Sequence, residues 1–237
     1  MNMKTLAALA ILASASASAN IIRNGSFEDP ISGTTQTGAI LYGSVTSFRG
    51  GTTFDGWVVG RDSVDIVPAS FWTPPDGSQS LELNGLGPGY IYQDLNTTPG
   101  EMYTLTFAMA ANGNLQTAFV GRLRVSFGGV QSEDFEKQSE ATIAFATRST
   151  SFVATESVTR LMFESLNENI NFGAIIDDIQ LDGPGSAIWP PVGNLPTYSP
   201  FLPGYVGPIT VTPDAGSALG LLGCALLGIW SAKRILA

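Results

Sequence analysis

Between Ile21 and Gly183 apolar residues recur at every second position, and this two-residue period limits the possible folds more than any other feature of the chain. Leu105, Phe107 and Met109 alternate with threonine and alanine, and Leu123, Val125 and Phe127 alternate with Arg122, Arg124 and Ser126. Leu81 and Leu83 flank Glu82, while Leu161 and Phe163 fall between Arg160 and Glu164. Such alternation describes strands with one buried face. Gly, Thr, Ser and Asn interrupt every window that could sustain a 3.6-residue period. Turn pairs at Asn24-Gly25, Asp76-Gly77, Asn84-Gly85, Pro99-Gly100, Asn112-Gly113 and Gly128-Gly129 cut the stretch into short pieces. Many short, half-buried strands predict an all-β, two-sheet sandwich with jelly-roll wiring, and roughly 160 residues suffice for a substantial core. That core must stand without disulfides, because the only cysteine is Cys224.

The chain also has no histidine. Serine triads, cysteine nucleophiles, histidine bases and the usual zinc sites are therefore excluded. Carboxylate chemistry remains, either calcium binding or a glycosidase-type acid pair. Asp62, Asp65, Glu82 and Asp94 are acidic candidates that form no motif in the sequence, which favours a non-enzymatic role. The formal charge is -9, from 11 basic and 20 acidic residues. Setting aside Lys4, Lys233 and Arg234 leaves 8 against 20, or -12. With no basic cluster to neutralise phosphates, nucleic acid is excluded as a partner.

The ends of the chain point to export. Met1 to Lys4, the apolar Leu6 to Leu12 and the small-x-small Ala17-Ser18-Ala19 read as a signal peptide over residues 1–19, leaving a domain over 20–183. Eight of the fourteen prolines lie between Pro184 and Pro213. Residues 184–212 therefore read as a semi-extended linker, whose Trp189, Tyr198, Phe201 and Tyr205 could also dock onto the domain. Residues 213–237 form a tail: a polar motif, an uncharged run from Ala218 to Ala232, and Lys233-Arg234. Fifteen helical residues reach roughly 22 Å, short of a hydrocarbon core of about 30 Å. The tail is thus either a temporary stop, cut at its polar motif while the basic pair stays inside, or a plain membrane anchor. It resembles the C-terminal sorting signals of bacterial exosortase systems, specifically the Val-Pro-Asp-Ser-Gly variety. Here the motif reads Thr212-Pro213-Asp214-Ala215-Gly216, so Pro213, Asp214 and Gly216 match and Val211 is displaced by one. The resemblance implies an exosortase-type processing enzyme and a destination at the cell envelope or extracellular surface.

Several stretches share an order and spacing. Asn24-Gly25-Ser26-Phe27-Glu28 opens the domain, followed by Gly56-Trp57, Ser63-Val64-Asp65-Ile66-Val67 and the run from Asp76-Gly77-Ser78-Gln79 to Asn84-Gly85. Pro88-Gly89, Tyr103-Thr104-Leu105-Thr106-Phe107 and Ile176-Asp177-Asp178-Ile179 complete the series. From about Asn20 to Asp182 the chain resembles the bacterial choice-of-anchor C proteins, which are related to a plant cell-wall domain of unknown function. The resemblance implies a galactose-binding-like jelly roll, a scaffold common among carbohydrate-binding modules. It also implies that the Asn24–Glu28 segment and the late Asp-Asp strand lie side by side around a structural calcium (Ca2+), held by Glu28, Asp177 and Asp178.

Alternation places Asp177 on the face of Ile175, Ile179 and Leu181, pointing inward, with Asp178 outward. An inward carboxylate needs a cation or hydrogen bonds to satisfy it. For sugar binding, exposed rings beside amides and carboxylates are the expected chemistry. Trp72, with Asp76 and Gln79 close in sequence, and Tyr90 with Tyr92 at i and i+2, are the candidates; ordinary packing is the alternative for each ring, and Trp57 reads as core. The expected function is an exported, surface- or matrix-associated, non-enzymatic polysaccharide-binding module. A structural matrix protein engaging other proteins and a weak glycoside hydrolase are the alternatives.

Overall fold

The alternating stretches become strands whose apolar side chains meet between two sheets. The computed structural model describes residues 20–113, 119–129, 131–168 and 171–191. The expected signal peptide, most of the expected linker and the sorting tail lie outside the described residues. One sheet runs in the order β1 (Ala39–Tyr42), β2 (Val45–Arg49), β5 (Ser63–Pro68), β6 (Gln79–Glu82), β13 (Ala174–Asp182), β8 (Met102–Ala111) and β11 (Ala146–Val153). The other runs β10 (Gln131–Gln138), β9 (Val120–Phe127), β12 (Val158–Ser165), β7 (Gly89–Asn96), β4 (Trp57–Arg61) and β3 (Thr53–Phe54), with β14 (Ser186–Ile188) also paired to β7. All these pairings are antiparallel. From β7 onward the chain passes back and forth between the sheets, so β12 is laid between β9 and β7, and β13 between β6 and β8. This is the all-β jelly-roll sandwich that the alternation predicts, and no helix occurs among the described residues.

The core follows the period. Leu105, Phe107 and Met109 of β8 face Leu123, Val125 and Phe127 of β9 and Leu161 and Phe163 of β12 across the seam, and all are buried. Trp57, fully buried, packs on Phe27 and Phe163, and its indole nitrogen donates to the carbonyl of Asn24 at 3.0 Å. Buried indoles need such a partner. Pinning the Asn24 carbonyl fixes the first segment, which lies along β13: Ile179 N donates to Gly25 O at 3.0 Å and Ile21 N to Leu181 O at 3.2 Å. Asn20 closes the same seam by donating from Nδ2 to Ile179 O and accepting from Leu181 N. Gly25 is needed here because a Cβ would run into the Ile179 carbonyl.

Two expectations change. The alternation along β13 breaks at Asp178, whose φ of 47° and bulge between Asp177 and Gln180 shift the register. Ile176, Ile179 and Leu181 enter the core between the sheets, whereas Asp177 shares the outer face with Ile175. Asp177 is nevertheless buried, covered from outside rather than enclosed by the core. The second change is at the domain end. β14 lies within the stretch read as linker, yet its Ser-Ala-Ile, flanked by Pro184 and Pro190, pairs with Asn96, Leu95 and Asp94 and carries the sandwich past Gly183 to Ile188.

Candidate functional site

The outer face of the first sheet carries polar groups that alternation alone would leave to solvent. Val64 and Ile66 of β5 and Leu81 of β6 enter the core, so Asp65 and Glu82 project from the opposite side. The antiparallel register sets Asp65 directly across from Glu82, and Ser47 of β2 directly across from Asp65 on its other side. The connection from β5 to β6 then folds back over the sheet. Trp72 is laid down on it by a hydrogen bond from its indole nitrogen to Ser80 Oγ at 2.8 Å, and Phe71 meets the Trp72 ring edge-on at 6.1 Å.

Two cavities flank these rings. One, of about 410 Å³, is floored by Asp65, Glu82 and Asn112 and walled by Tyr42, Phe71 and Trp72. The second, of about 620 Å³, continues past Trp72 and Asn112 to Thr142 and Ile143. The Phe71 and Tyr42 rings are largely exposed along this groove, at 59% and 47%. No lysine or arginine lines either cavity among the described residues.

The floor is electrostatically unusual. Glu82 is 4% exposed, and both its oxygens face one donor, Asn112 Nδ2, at 3.0 and 2.9 Å. Burial holds its carboxyl well above the ordinary range, against the pull of the Asn112 amide, and neighbouring Asp65 raises it further. Burial likewise pushes Asp65 up to about 6. Neither Asp65 Oδ1 nor Ser47 Oγ, both buried, has a hydrogen-bond partner among the described residues. Rings beside buried acceptors can bind a ligand with apolar faces and many donors.

The sequence candidates are distributed differently. Trp72 lines the groove. Gln79 is buried and committed to the backbone, donating to the carbonyls of Phe27 and Pro30 and accepting from Ser32 N at 2.8 Å. Tyr90 and Tyr92 lie on the other sheet and form no platform with Trp72. Tyr90 covers Gly60, its cross-strand partner, leaving no room for a Cβ there. Arg160, paired bidentately with buried Asp94, stacks over Tyr92 at 3.8 Å.

Asp76 belongs to a separate cluster at the sheet end, where its N–H donates to Asp177 Oδ2 at 3.1 Å. The same turn saturates Glu28, which accepts from Ser78 N, Ser78 Oγ and Gln79 N at 2.9, 2.7 and 3.0 Å. Asp178 accepts from Gln180 at 2.6 Å on the exposed side. Of the three expected calcium ligands, Asp177 alone keeps a buried oxygen, Oδ1, without a partner. Burial, with the charges of Asp76 and Asp178 adding, pushes its carboxyl up to about 7 against the Asp76 and Asp178 N–H groups. No cluster of three or more metal-ligating side chains is formed among the described residues.

Asp65, Glu82 and Asn112 were not assigned to the groove from the sequence. Their signal was present: an acidic residue inside Val-Asp-Ile-Val and another inside Leu-Glu-Leu, each on the side opposite the core. What the sequence lacks is the register that makes them neighbours.

These raised carboxyls set a pH dependence. Between the ordinary carboxylate range and about 7 the folded protein keeps protons that the unfolded chain has released, so stability falls as pH rises through this window. The melting temperature should be higher at about pH 5 than at about pH 8, and Asp177→Asn should flatten the decline. Scanning calorimetry showing equal or rising stability towards pH 8 would contradict the assignment.

Halomucin of Haloquadratum walsbyi is 36% identical over 89 residues, covering 37% of this chain and 1% of that protein. The Arabidopsis thaliana protein DUF642 L-galactono-1,4-lactone-responsive gene 2 is 28% identical over 174 residues, covering 68% of this chain. The chain spans 46% of that plant relative's length. Among solved structures, TmCBM61 in complex with beta-1,4-galactotriose matches with a TM-score of 0.45 and 15% identity, over 69% of this chain and 98% of that one. A family 35 carbohydrate binding module from Clostridium thermocellum matches with a TM-score of 0.36 and 20% identity, over 53% and 90%. Residues 213–236 match the VPDSG-CTERM motif, a sorting signal that marks an exported, envelope-associated protein. Residues 20–182 match the family described as "Protein of unknown function (DUF642)", and the chain belongs to that family.

Proposed function

We propose that this protein is a non-enzymatic polysaccharide-binding module of the cell envelope or extracellular matrix, and that its ligand lies in the groove across the first sheet. The observation that carries this reading is the row of Tyr42, Phe71 and Trp72 rings beside the buried Glu82 and the half-buried Asp65 and Asn112. Pyranose rings present apolar faces to aromatics while their hydroxyls donate to carboxylate and amide oxygens. Cavities on both sides of Trp72 suit a chain of several sugars better than a single unit. Hydrolysis would require one ionised and one protonated carboxyl in contrasting surroundings. Burial instead drives both Asp65 and Glu82 in the same direction.

Affinity electrophoresis across a polysaccharide panel tests the reading. Retardation by at least one polymer is expected, and Trp72→Ala should weaken it roughly tenfold or more, whereas Tyr92→Ala should leave it unchanged. Absence of retardation across the panel would favour a structural role among other proteins. Release of reducing ends by the purified protein would favour a hydrolase.

Delivery rests on the tail. An exosortase-type enzyme cutting near Gly216 would leave the sandwich, with residues 192–212 as spacer, attached outside the cell. Mass spectrometry of protein from native cells should then find no peptide containing Lys233-Arg234, and an intact C-terminus would mean a plain anchor instead.

A calcium ion at Asp177 forms part of the same proposal. Its support is the buried Asp177 Oδ1 without a partner and the nearby Asp76 and Asp178 charges, which a cation would offset. Glu28 would have to share oxygens now taken by Ser78 and Gln79. Calcium at a hundredfold excess over its Kd should stabilise the fold by about 2.7 kcal/mol. Chelation should lower the melting temperature, most at high pH where Asp177 has lost its proton, and Asp177→Asn should remove the effect. Identical melting with calcium and with chelator would dismiss the ion.

A further inference from the structure

The groove floor has acceptors in excess of donors. Asp65 and Glu82 lie side by side by register, and the donors facing the pair are the Asn112 amide and the Gly173 N–H, both at Glu82. Ser47, itself fully buried, and Asp65 Oδ1 both remain without a hydrogen-bond partner among the described residues. Among the described residues no lysine or arginine lines the cavity to neutralise the pair. Such a floor is incomplete without a donor-rich, positively charged group.

We propose that the groove binds a saccharide carrying free amino groups, such as a run of unacetylated hexosamine units, with one ammonium seated between Asp65 and Glu82 and the sugar ring against Trp72. The inference rests on the polysaccharide reading above and names its substrate class. An ammonium brings three N–H donors and a charge to acceptors that a hydroxyl would serve with one. The Trp72 and Tyr42 walls add attraction between their ring faces and the cation. A uronate would set a third carboxylate against two, with no basic side chain to receive it. An acetylated amine loses the charge and adds an acceptor where acceptors are already in surplus. A bridging calcium is the less suitable cation: it needs six to eight oxygens, and no third metal-ligating side chain joins the pair among the described residues.

The test is calorimetric titration of the protein with a β-1,4-linked glucosamine tetramer, its N-acetylated counterpart, a neutral hexose tetramer and a uronic acid tetramer, in about 0.15 M salt so that non-specific attraction to the acidic surface is screened. The glucosamine tetramer should bind at least tenfold more tightly than the N-acetylated one, and the uronate should not bind. Asp65→Asn and Glu82→Gln should each erase that preference while keeping the wild-type melting temperature or raising it, since each removes a buried charge. Binding of the neutral tetramer with no preference for the amine overturns the amine assignment and leaves the groove intact. No binding of any tetramer overturns both. An amine preference that survives in Trp72→Ala and in both carboxylate variants is surface attraction and overturns the assignment, as does binding that disappears with chelator.

Discussion

The closure of two sheets over one apolar seam is the constraint on which everything else depends. With no cysteine among the described residues, nothing covalent ties the sheets together, and the seam around Trp57, Phe107, Phe127 and Phe163 must hold them. Burial of this area supplies the main driving force. Its hand on the rest of the molecule is geometric: once Val64, Ile66, Leu81 and Leu83 are committed inward, the residues between them have only the outer face. A one-residue slip of β5 or β6 would bury Asp65 or Glu82 in the seam and expose its aliphatics. The same commitment that stabilises the sandwich therefore aligns the carboxylates of the groove.

That alignment is costly. Carboxylates removed from water without full hydrogen bonding weaken the folded state, and the raised values at Asp65, Glu82 and Asp177 express that cost. A fold built for stability alone would replace them by amides. On the second sheet, by contrast, buried charge is matched: Asp94 lies in the Arg160 fork, and Glu164 faces Arg61 at 3.7 Å. The two outer faces carry similar residue types with opposite bookkeeping, one compensated within the protein and one left for a ligand.

Much of the fold was legible because its strands obey the two-residue period. β8, β9 and β12 follow it along most of their length, and the turn pairs mark where they stop. β10 was not legible: it is an edge strand in which Phe135 alone is buried, and its charged remainder, which guards the open edge, looks like loop in sequence. β14 was hidden by the surrounding prolines. The bulge at Asp178 defeated the face assignment of Asp177, since a single left-handed residue inverts the alternation that follows. At the site, Trp72 stood out by its type, whereas Gln79, Tyr90 and Tyr92 were misleading because a polar or aromatic residue in sequence does not disclose the backbone carbonyl, glycine or arginine it is satisfying. The Asp65 and Glu82 pairing depends on contacts between strands, which no local pattern encodes.

The most direct test of the account follows the indole N–H resonances of the protein by NMR while a bound oligosaccharide is titrated. The buried Trp57 indole, bonded to Asn24, and the Trp72 indole, bonded to Ser80 at the groove, report on the core and the site independently. A saturable shift of the Trp72 signal together with the side-chain amide signals of Asn112 is expected, with Trp57 unmoved. Shifts confined to the Tyr90 and Tyr92 face, or a ligand that binds without moving Trp72, would contradict it.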